Sequence, residues 1–399
     1  MPVYLDNSAT TAVAPEVLDA MYPFFIEEMG NAQSVHTFGQ RAKSAVENAR
    51  RLVAGLIGAS PAEIVFVSGG TEADNLAITG VARAYAAYGR HIITSAVEHP
   101  AVLSTCSSLE SEGFEVTYLP VGRAGVVRSE DIRAALKDTT VLISLMYANN
   151  ETGVVQPIAE AGAIVQEARR TVNPHLYFHT DAVQAAGKIN ISLSELGVDL
   201  LSISAHKIHG PKGIGALYVK KGTRLAKLIH GGHHERDRRA GTENVPAIAG
   251  FGKACEIARV SLNEHSARMN FLRDRLESGI AARVEDVGIN GDPALRLPNI
   301  SSMSFGGVDG ESLLIALDLK GVAVSTGSAC SSGSLEPSHV LTAMGLSREE
   351  VRGSIRFSLS SFTTQDEIDY AIQTVSETVE HLRRMTPLES EPHPAATRA

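Results

Sequence analysis

The strongest constraint on the fold of this chain is a repeated alternation of short apolar runs with helical segments, beginning near residue 64. The runs are rich in β-branched and aromatic residues and read IVFVS, HIITSA, EVTYLPV, TVLISLMY, LYFHTDA, LLSIS and GALYVK. Strands that alternate with helices pair mostly in parallel, and the helices cover both faces of the sheet. We therefore predict an α/β fold whose large domain contains a mostly parallel seven-stranded sheet.

Helical patterns lie on both sides of this region. Apolar residues recur at helical spacing over residues 15–29 and 39–57, before the first strand. After about residue 262 the chain alternates helices with the short strands SSMSF, VAVST and SIRFSLS, and a helix over residues 364–385 follows. This second alternation predicts a smaller α/β domain.

The domain boundaries follow from this change of pattern. We assign residues 15–260 to the large domain, and residues 1–14 and 261–385 to the small domain. The stretch ARVSLNEHSARMNFLRDRL, residues 258–276, is compatible with one helix that bridges both domains. Residues 386–399 are rich in Pro, Ala and polar residues, which predicts a flexible tail.

Composition excludes several classes of function. The net charge of −9 argues against a general nucleic-acid or anionic-membrane binder. No apolar run reaches the roughly 18 residues that a membrane span needs, and the start MPVYLDNSATT lacks a signal pattern, so we expect a cytoplasmic protein without membrane contact. Three widely spaced cysteines, Cys106, Cys255 and Cys330, suggest neither a disulfide framework nor a metal site.

Lys207 is the first candidate for chemistry. It follows the apolar run LLSIS and precedes a Gly/Pro-rich turn in LSISAHKIHGPKGIG. An amine at the end of a buried strand is partly desolvated, which lowers its pKa and frees it to form a Schiff base with an aldehyde cofactor. The alternative for a single lysine in this position is an ordinary exposed side chain.

A possible phosphate site lies at the start of the helix after IVFVS. Gly69, Gly70 and Thr71 open a helical segment that begins TEADNLAI. Glycines allow backbone N–H groups to approach a phosphate, and the helix dipole and the threonine hydroxyl favour the anion. The alternative is plain helix capping.

Two polar groups follow other strands of the predicted sheet. Asp181, with Gln184 three residues later, ends the run LYFHTDA, where a carboxylate could pair with a protonated ring nitrogen. His99 follows HIITSA, where an imidazole could stack on an aromatic cofactor and exchange protons. An N-cap role for the aspartate and a structural role for the histidine are the alternatives.

The segment VSTGSACSSGSLEPSHVL around Cys330 is rich in small residues, which predicts a loop and an accessible thiol that could act as a mobile nucleophile. A chance surface cysteine is the alternative. Cys106 and Cys255 lie in helix-like apolar contexts and are expected to be inert.

Together these pieces resemble one family, the cysteine desulfurases, which are fold-type I pyridoxal-phosphate (PLP) enzymes of aminotransferase class V. The resemblance spans almost the whole chain and is of the group that feeds iron–sulfur cluster assembly, especially the nitrogen-fixation type. The motifs that carry it, in order, are YLDNSATT, SGGTEADNLAI, VEHPAVL, ANNETG, FHTDAVQAAGK, SAHKIHGPKGIGALY, GGHHERDRRAGTENV, STGSACSSGSLEPSHVL and SIRFSLSSFTTQDEID.

The resemblance implies a role for each matching residue. Lys207 would form the Schiff base with PLP and then move the substrate's Cα proton. Asp181 would pair with the ring nitrogen, Gln184 would bond the ring oxygen, and His99 would stack on the ring. The implied phosphate ligands are Gly70, Thr71, Ser204 and His206, with Thr242 of the other subunit. The implied carboxylate clamp is Asn150 and Arg356.

The implied reaction removes sulfur from L-cysteine, gives L-alanine and leaves a persulfide on Cys330. The sulfur would then pass to an acceptor or scaffold protein for iron–sulfur cluster assembly. The Thr242 contact implies a homodimer. Two alternatives stay open at this point: a selenocysteine lyase or other class V enzyme, and a PLP-containing scaffold subunit that docks assembly proteins.

Overall fold

The seven-stranded sheet is the centre of the molecule. The computed structural model describes residues 2–327 and 337–385. Its strands are β1 (Val3–Tyr4), β2 (Ile64–Val67), β3 (His91–Ser95), β4 (Glu115–Leu119), β5 (Thr140–Ser144), β6 (Tyr177–Asp181), β7 (Leu200–Ser204), β8 (Gly215–Val219), β9 (Val287–Ile289), β10 (Ile300–Phe305), β11 (Val322–Ala323) and β12 (Ser354–Ser358). The sheet order β2-β8-β7-β6-β5-β3-β4 uses the seven predicted runs, and only β8 is antiparallel to its neighbours.

Fourteen α-helices accompany these strands in the described parts of the chain. They are α1 (Pro15–Met21), α2 (Pro23–Ile26), α3 (Thr37–Ile57), α4 (Gly70–Tyr85), α5 (Pro100–Ser111), α6 (Ser129–Ala135), α7 (Ile158–Thr171), α8 (Leu193–Leu196), α9 (Val245–Val260), α10 (Leu262–Ala281), α11 (Gly310–Leu319), α12 (His339–Ala343), α13 (Arg348–Arg352) and α14 (Gln365–Met385). The predicted α/β class, with a large mostly parallel sheet and a smaller C-terminal unit, is confirmed.

The large sheet is covered on both faces, as its continuous apolar strands require. In β2, Val65 and Val67 enter one apolar cluster while Phe66 between them enters the other. Side chains alternate across a strand, so each strand supplies both clusters. Helices α4 and α5 belong to the first cluster, and α3, α7 and α9 belong to the second.

A second, smaller sheet joins β12, β10 and β9 in antiparallel order. It packs with α10, α11 and α14 around a separate apolar cluster that includes Phe305, Leu317 and Phe357. The N-terminal arm joins this unit, because β1 pairs with β11 and Asp6 bridges to Ser358. Residues 8–11 then run from the small sheet to the turn that carries Lys207.

Two predicted helices are interrupted. The first pattern, residues 15–29, divides into α1 and α2, because Pro23 has no N–H to continue the ladder of α1. The expectation of one helix over residues 258–276 is wrong, since α9 ends at Val260 and α10 begins at Leu262. Ser261 stands between them with φ −98° and ψ 10° and lets the chain change direction without a proline or glycine.

No helix in the described parts of the chain has the length and apolarity needed to cross a bilayer.

Candidate active site

The carboxyl ends of β2, β3, β6 and β7 lie at one edge of the large sheet and surround a cavity of about 320 Å³. Ligands of parallel α/β sheets bind at this edge because loops from successive strands converge there. The residues that line the cavity are Ser8, Ala9, Gly70, Thr71, Asp74, His99, Met146, Ala148, Asn150, Asp181, Val183, Gln184, Ser204, His206, Lys207, Gly327 and Arg356. Every cofactor ligand and substrate clamp predicted above is in this set except Thr242.

Lys207 ends the short 3-10 turn Ala205–Lys207 that follows β7 directly. Its Nζ donates to the backbone carbonyls of Ser8 at 2.5 Å and Ala9 at 2.8 Å, so the N-terminal arm holds the amine at the cavity wall. The following His209 adopts φ 63°, a left-handed conformation, and its N–H bonds the Thr11 hydroxyl. The arm and the turn therefore position each other.

Asp181 is the last residue of β6 and is 7% exposed. Burial raises the pKa of its carboxyl to about 6, although the Val183 N–H and the Lys207 charge act in the opposite direction. The Val183 N–H donates to Oδ1 at 2.9 Å. Gln184 lies on the same turn, where Nε2 donates to the Ser8 carbonyl at 3.0 Å and Oε1 is buried without a partner in the described residues.

His99 is the N-cap of α5, and its Nδ1 accepts a hydrogen bond from the Ala101 N–H at 3.1 Å. That bond places the remaining ring proton on Nε2 in the neutral form. Burial lowers the pKa of His99 to about 4, and the charge of Lys207 acts in the same direction. A neutral imidazole therefore borders the cavity at pH 7.

The predicted anion cradle lies at the start of α4. Gly70 is the first residue of this 16-residue helix, and a Cβ there would lie 2.8 Å from Val183 Cγ2, so a larger residue would displace the wall of the cavity. Across from it, Ser204 Oγ is buried without a partner in the described residues, and the His206 ring contacts the Thr10 hydroxyl at 3.2 Å. These groups suit a phosphate.

Arg356 supplies the cation of the cavity. It lies in β12, its side chain is only 4% exposed, and Nη2 donates to Asp6 Oδ1 at 2.7 Å. Nη1 donates to the Asn150 carbonyl at 2.8 Å, and Nε has no partner in the described residues. Asn149, next to Asn150, is instead a turn former, because its Oδ1 accepts the Glu151 and Thr152 N–H groups.

Two acidic groups of the site were not identified from the sequence. Asp74 lines the cavity from the inward face of α4, one turn after Gly70, and is 1% exposed. Burial first, and the charge of Asp181 next, raise the pKa of Asp74 well above its usual value. Glu98 is fully buried beside His99, and burial raises its pKa to about 8. The position of Asp74 one helical turn after a predicted phosphate cradle was the available signal.

Other predicted residues lie elsewhere. Cys330 falls within residues 328–336, outside the described part of the chain. Thr242 is exposed and does not line the cavity of its own chain. Cys106 and Cys255 are buried, and burial raises the pKa of Cys106 to about 12 and raises that of Cys255 as well, which keeps both thiols protonated.

The cavity is suited to a phosphorylated, nitrogen-containing aromatic ligand that carries an aldehyde. It offers an amine, a carboxylate, a neutral imidazole and a helix N-terminus, and five buried polar atoms of its lining residues lack hydrogen-bond partners in the described residues: Ser8 Oγ, Asp74 Oδ1, Gln184 Oε1, Ser204 Oγ and Arg356 Nε. Such orphaned polar atoms are expected at a ligand site. The same residues contain no group of three or more His, Cys, Asp or Glu side chains that could hold a metal ion.

Comparisons with known proteins find similarity over almost the whole chain. Residues 3–371 match the family model "Aminotransferase class-V". "Cysteine desulfurase IscS" of Dictyoglomus turgidum is 51% identical, with 98% of this chain and 97% of the relative covered. The solved structure of a "NifS-like protein" superposes with a TM-score of 0.89 at 41% identity, covering 96% of this chain and 100% of that one. A structure described as "SspA in complex with cysteine" gives a TM-score of 0.79 at 36% identity over 91% and 100%.

Proposed function

The chain belongs to the aminotransferase class-V family and is a cysteine desulfurase, and from this premise we propose which of its residues carry the reaction. The observation that supports the assignment best is the convergence of Lys207, Asp181 and Arg356 on one cavity of about 320 Å³. Each supplies a different requirement of the reaction, namely an amine, a ring counter-charge and a substrate anchor.

We propose pyridoxal 5'-phosphate as the cofactor. Gly70, Thr71, Ser204 and His206 would hold its phosphate, and Asp181 and Gln184 would hold its ring nitrogen and ring oxygen. When bound, this group supplies an electron sink for the bond changes at the substrate's Cα and Cβ. The raised pKa of Asp181 would fall once a protonated ring nitrogen lies beside it, because an opposite charge favours the carboxylate.

Lys207 and His99 are the proposed proton carriers. Lys207 anchors the cofactor through its Nζ and afterwards moves the proton at the substrate's Cα. Its hydrogen bonds to the Ser8 and Ala9 carbonyls hold the amine at the cavity wall, which supports this role. His99 is neutral at pH 7, so its ring can stack on the cofactor without adding charge. Because burial lowers its pKa to about 4, a proton that the ring takes up during turnover is readily passed on.

Arg356 and Asn150 are the proposed clamp for the carboxylate of L-cysteine. The guanidinium Nε has no partner in the described residues, although the side chain is almost fully buried. A substrate carboxylate would satisfy this donor and gain a charge-assisted hydrogen bond. The contact between Nη1 and the Asn150 carbonyl keeps the two clamp residues together.

Cys330 is the proposed nucleophile. Its thiolate attacks the sulfur of L-cysteine, so that an S–S bond forms as the Cβ–S bond breaks. Protonation of the remaining carbon skeleton releases L-alanine, and Cys330 is left as a persulfide. A sulfur-acceptor or iron–sulfur scaffold protein would then take the terminal sulfur by thiol exchange.

The remaining assignments concern assembly. A homodimer is proposed because Thr242 is exposed in one chain and would complete the phosphate site of the other. The division into residues 15–260 and residues 1–14 with 261–385 stays a proposal, as do the flexible tail and the cytoplasmic location.

Mass spectrometry of the enzyme treated with L-cysteine tests this function. We expect one extra sulfur on Cys330, together with L-alanine and, with a reductant, an equal amount of sulfide. Cys330→Ser should keep the visible absorption of the cofactor and lose sulfide production. Cys106→Ser and Cys255→Ser serve as matched controls and should keep activity. Turnover that survives in Cys330→Ser would overturn the proposed nucleophile.

A further inference from the structure

A second cavity borders the turn that carries Lys207. It measures about 240 Å³, and among the described residues Lys207 alone lines both cavities. Its wall is mostly apolar and is formed by α1, α9, α10 and residues 359–362, with Val17, Ile208, Ala254, Ala258, Met269 and Phe362 as main contacts. None of the roles proposed above uses this space.

Lys188 provides the cation of this second cavity. It is 6% exposed, and its Nζ makes one hydrogen bond to a described residue, to the Lys207 carbonyl at 3.3 Å. No carboxylate oxygen of the described residues lies within 4.0 Å of Lys188 Nζ, the limit for an ion pair. An ammonium group has three donors, so two remain available to a ligand in the cavity.

A buried ammonium without a counter-ion is an uncommon arrangement. Lysine is almost never fully buried unless it is paired, since the desolvation of an isolated charge amounts to several kcal/mol. An anion bound beside Lys188 would supply the missing counter-charge and accept its remaining donors. An ammonium group that faces mostly apolar walls suits a monoanion with a short hydrocarbon body better than a phosphate.

We propose that this cavity binds a small aliphatic monocarboxylate, with the carboxylate on the Lys188 ammonium and the hydrocarbon body against Val17, Ala258 and Met269. Lys188 would link the ligand to the Lys207 turn, because its Nζ also donates to the Lys207 carbonyl. This site goes beyond desulfuration and does not depend on it.

The charged groups that face Lys188 set the pH dependence. Lys207 lies on the neighbouring turn, His209 follows it, Glu16 belongs to α1 and His265 to α10. His209 is committed elsewhere, through the Ala12 carbonyl at 2.9 Å and the Ser361 hydroxyl at 3.2 Å. Burial, and next the charge of Lys207, lower the pKa of Lys188 to about 7. The ammonium form predominates below this value, so carboxylate binding should weaken as the pH rises above it.

Calorimetry of the holoenzyme with butyrate tests the site, with butyramide as the neutral control of the same shape. At pH 6.5 we expect butyrate to bind at least tenfold more tightly than butyramide. Raising the pH to 9 should weaken butyrate at least tenfold. Equal binding of the two compounds, or a pH-independent affinity for butyrate, would overturn the proposal.

Four variants locate the binding. Lys188→Met should weaken butyrate at least tenfold, and Ala258→Met should do the same by filling the cavity while Lys188 is kept. Arg356→Gln should leave this affinity within threefold, which separates the site from the substrate clamp, and Lys253→Met on α9 is the matched lysine control. Unchanged binding in Ala258→Met, or loss of binding in Arg356→Gln alone, would contradict the assignment even if Lys188→Met fails to fold.

Discussion

Two buried arginines show how the structural frame of this enzyme, meaning the buried residues outside the cavity, differs from its active site. Arg50, in α3, is 5% exposed at its side chain, and all three of its nitrogens have partners. Nη1 and Nη2 bond both oxygens of Glu235 at 2.7 and 2.8 Å, and Nη1 also bonds the Ile64 carbonyl. Arg356 is equally buried but leaves Nε without a partner in the described residues.

The difference distinguishes structure from function. Burying an unpaired polar group is unfavourable, and a frame residue therefore tends to use every donor it has. Because Arg356 lines the cavity, a ligand bound there could complete its unused donor. The same contrast separates His91, whose two ring nitrogens both contact threonine hydroxyls, from Gln184 and Ser204 in the cofactor cavity.

The largest expected effect is on the frame. Arg50→Met leaves the Glu235 carboxylate buried without its cation, and we expect the free energy of unfolding to fall by about 3–5 kcal/mol. Denaturant unfolding measures this change. The double variant Arg50→Met with Glu235→Gln should recover part of the loss, because the stranded charge is removed. A single variant within about 1 kcal/mol of the parent would show that this pair is no frame element.

The second effect is on the site. Arg356→Gln removes a charge-assisted bond to the substrate carboxylate, so kcat/KM for L-cysteine should fall about 100-fold, or about 2.7 kcal/mol, mainly through KM. The unfolding free energy should fall less than in Arg50→Met, because the Asp6 carboxylate that loses its partner is 20% exposed, whereas Glu235 is 4% exposed.

Arg273 offers the matched control for Arg356, since it is buried and uses all three nitrogens. Arg273→Gln should lower stability and leave kcat/KM near that of the parent. Steady-state kinetics and unfolding curves of both variants measure these effects. The comparison is contradicted if Arg273→Gln lowers kcat/KM and Arg356→Gln lowers only the free energy of unfolding.

The smallest effect concerns Glu98, which combines features of both regions. Its Oε1 accepts bonds from Ser95 Oγ at 2.6 Å and the Met146 N–H at 3.0 Å, whereas Oε2 has no partner in the described residues. Its pKa is raised by burial from about 4.5 to about 8. The stability that comes from the protonated form is therefore complete below about pH 4.5 and is lost as the pH rises to 8.

Glu98→Gln removes this titration and keeps a neutral side chain of the same shape. The variant should gain stability relative to the parent as the pH rises from 5.5 to 8, because only the parent loses the stability of a protonated Glu98. Thermal unfolding of both proteins at the two pH values measures the gap. A gap that stays constant or narrows with rising pH would mean that Glu98 is ionised in the folded protein.

The sequence predicted the large sheet well, because continuous β-branched strands between helices leave few other arrangements. It also singled out Lys207, Asp181 and Gly70, which line one cavity at the edge of the sheet, while their roles stay predictions. Helix continuity was predicted less well: Pro23 gave a usable signal for the first break, while Ser261 gave none.

The supporting groups were beyond reach for a different reason. Asp74 and Lys188 lie inside a helical segment and a turn, and their importance comes from burial beside residues distant in sequence, such as Asp181 and Lys207. Asp6 meets Arg356 across 350 positions of the chain. The local sequence pattern predicts neither burial nor contacts with distant residues, so these groups are identified only in the folded chain.

The N-terminal arm has a consequence for biosynthesis. Its residues pair with β11, bridge to Ser358 and present the Ser8 and Ala9 carbonyls to Lys207. The arm leaves the ribosome about 350 residues before its partner at Ser358. Contacts of such long sequence separation form late because closing the loop is entropically unfavourable. The arm is therefore unpaired while the following residues are synthesised. The hydrogen bonds of the Lys207 amine to the Ser8 and Ala9 carbonyls form late in folding.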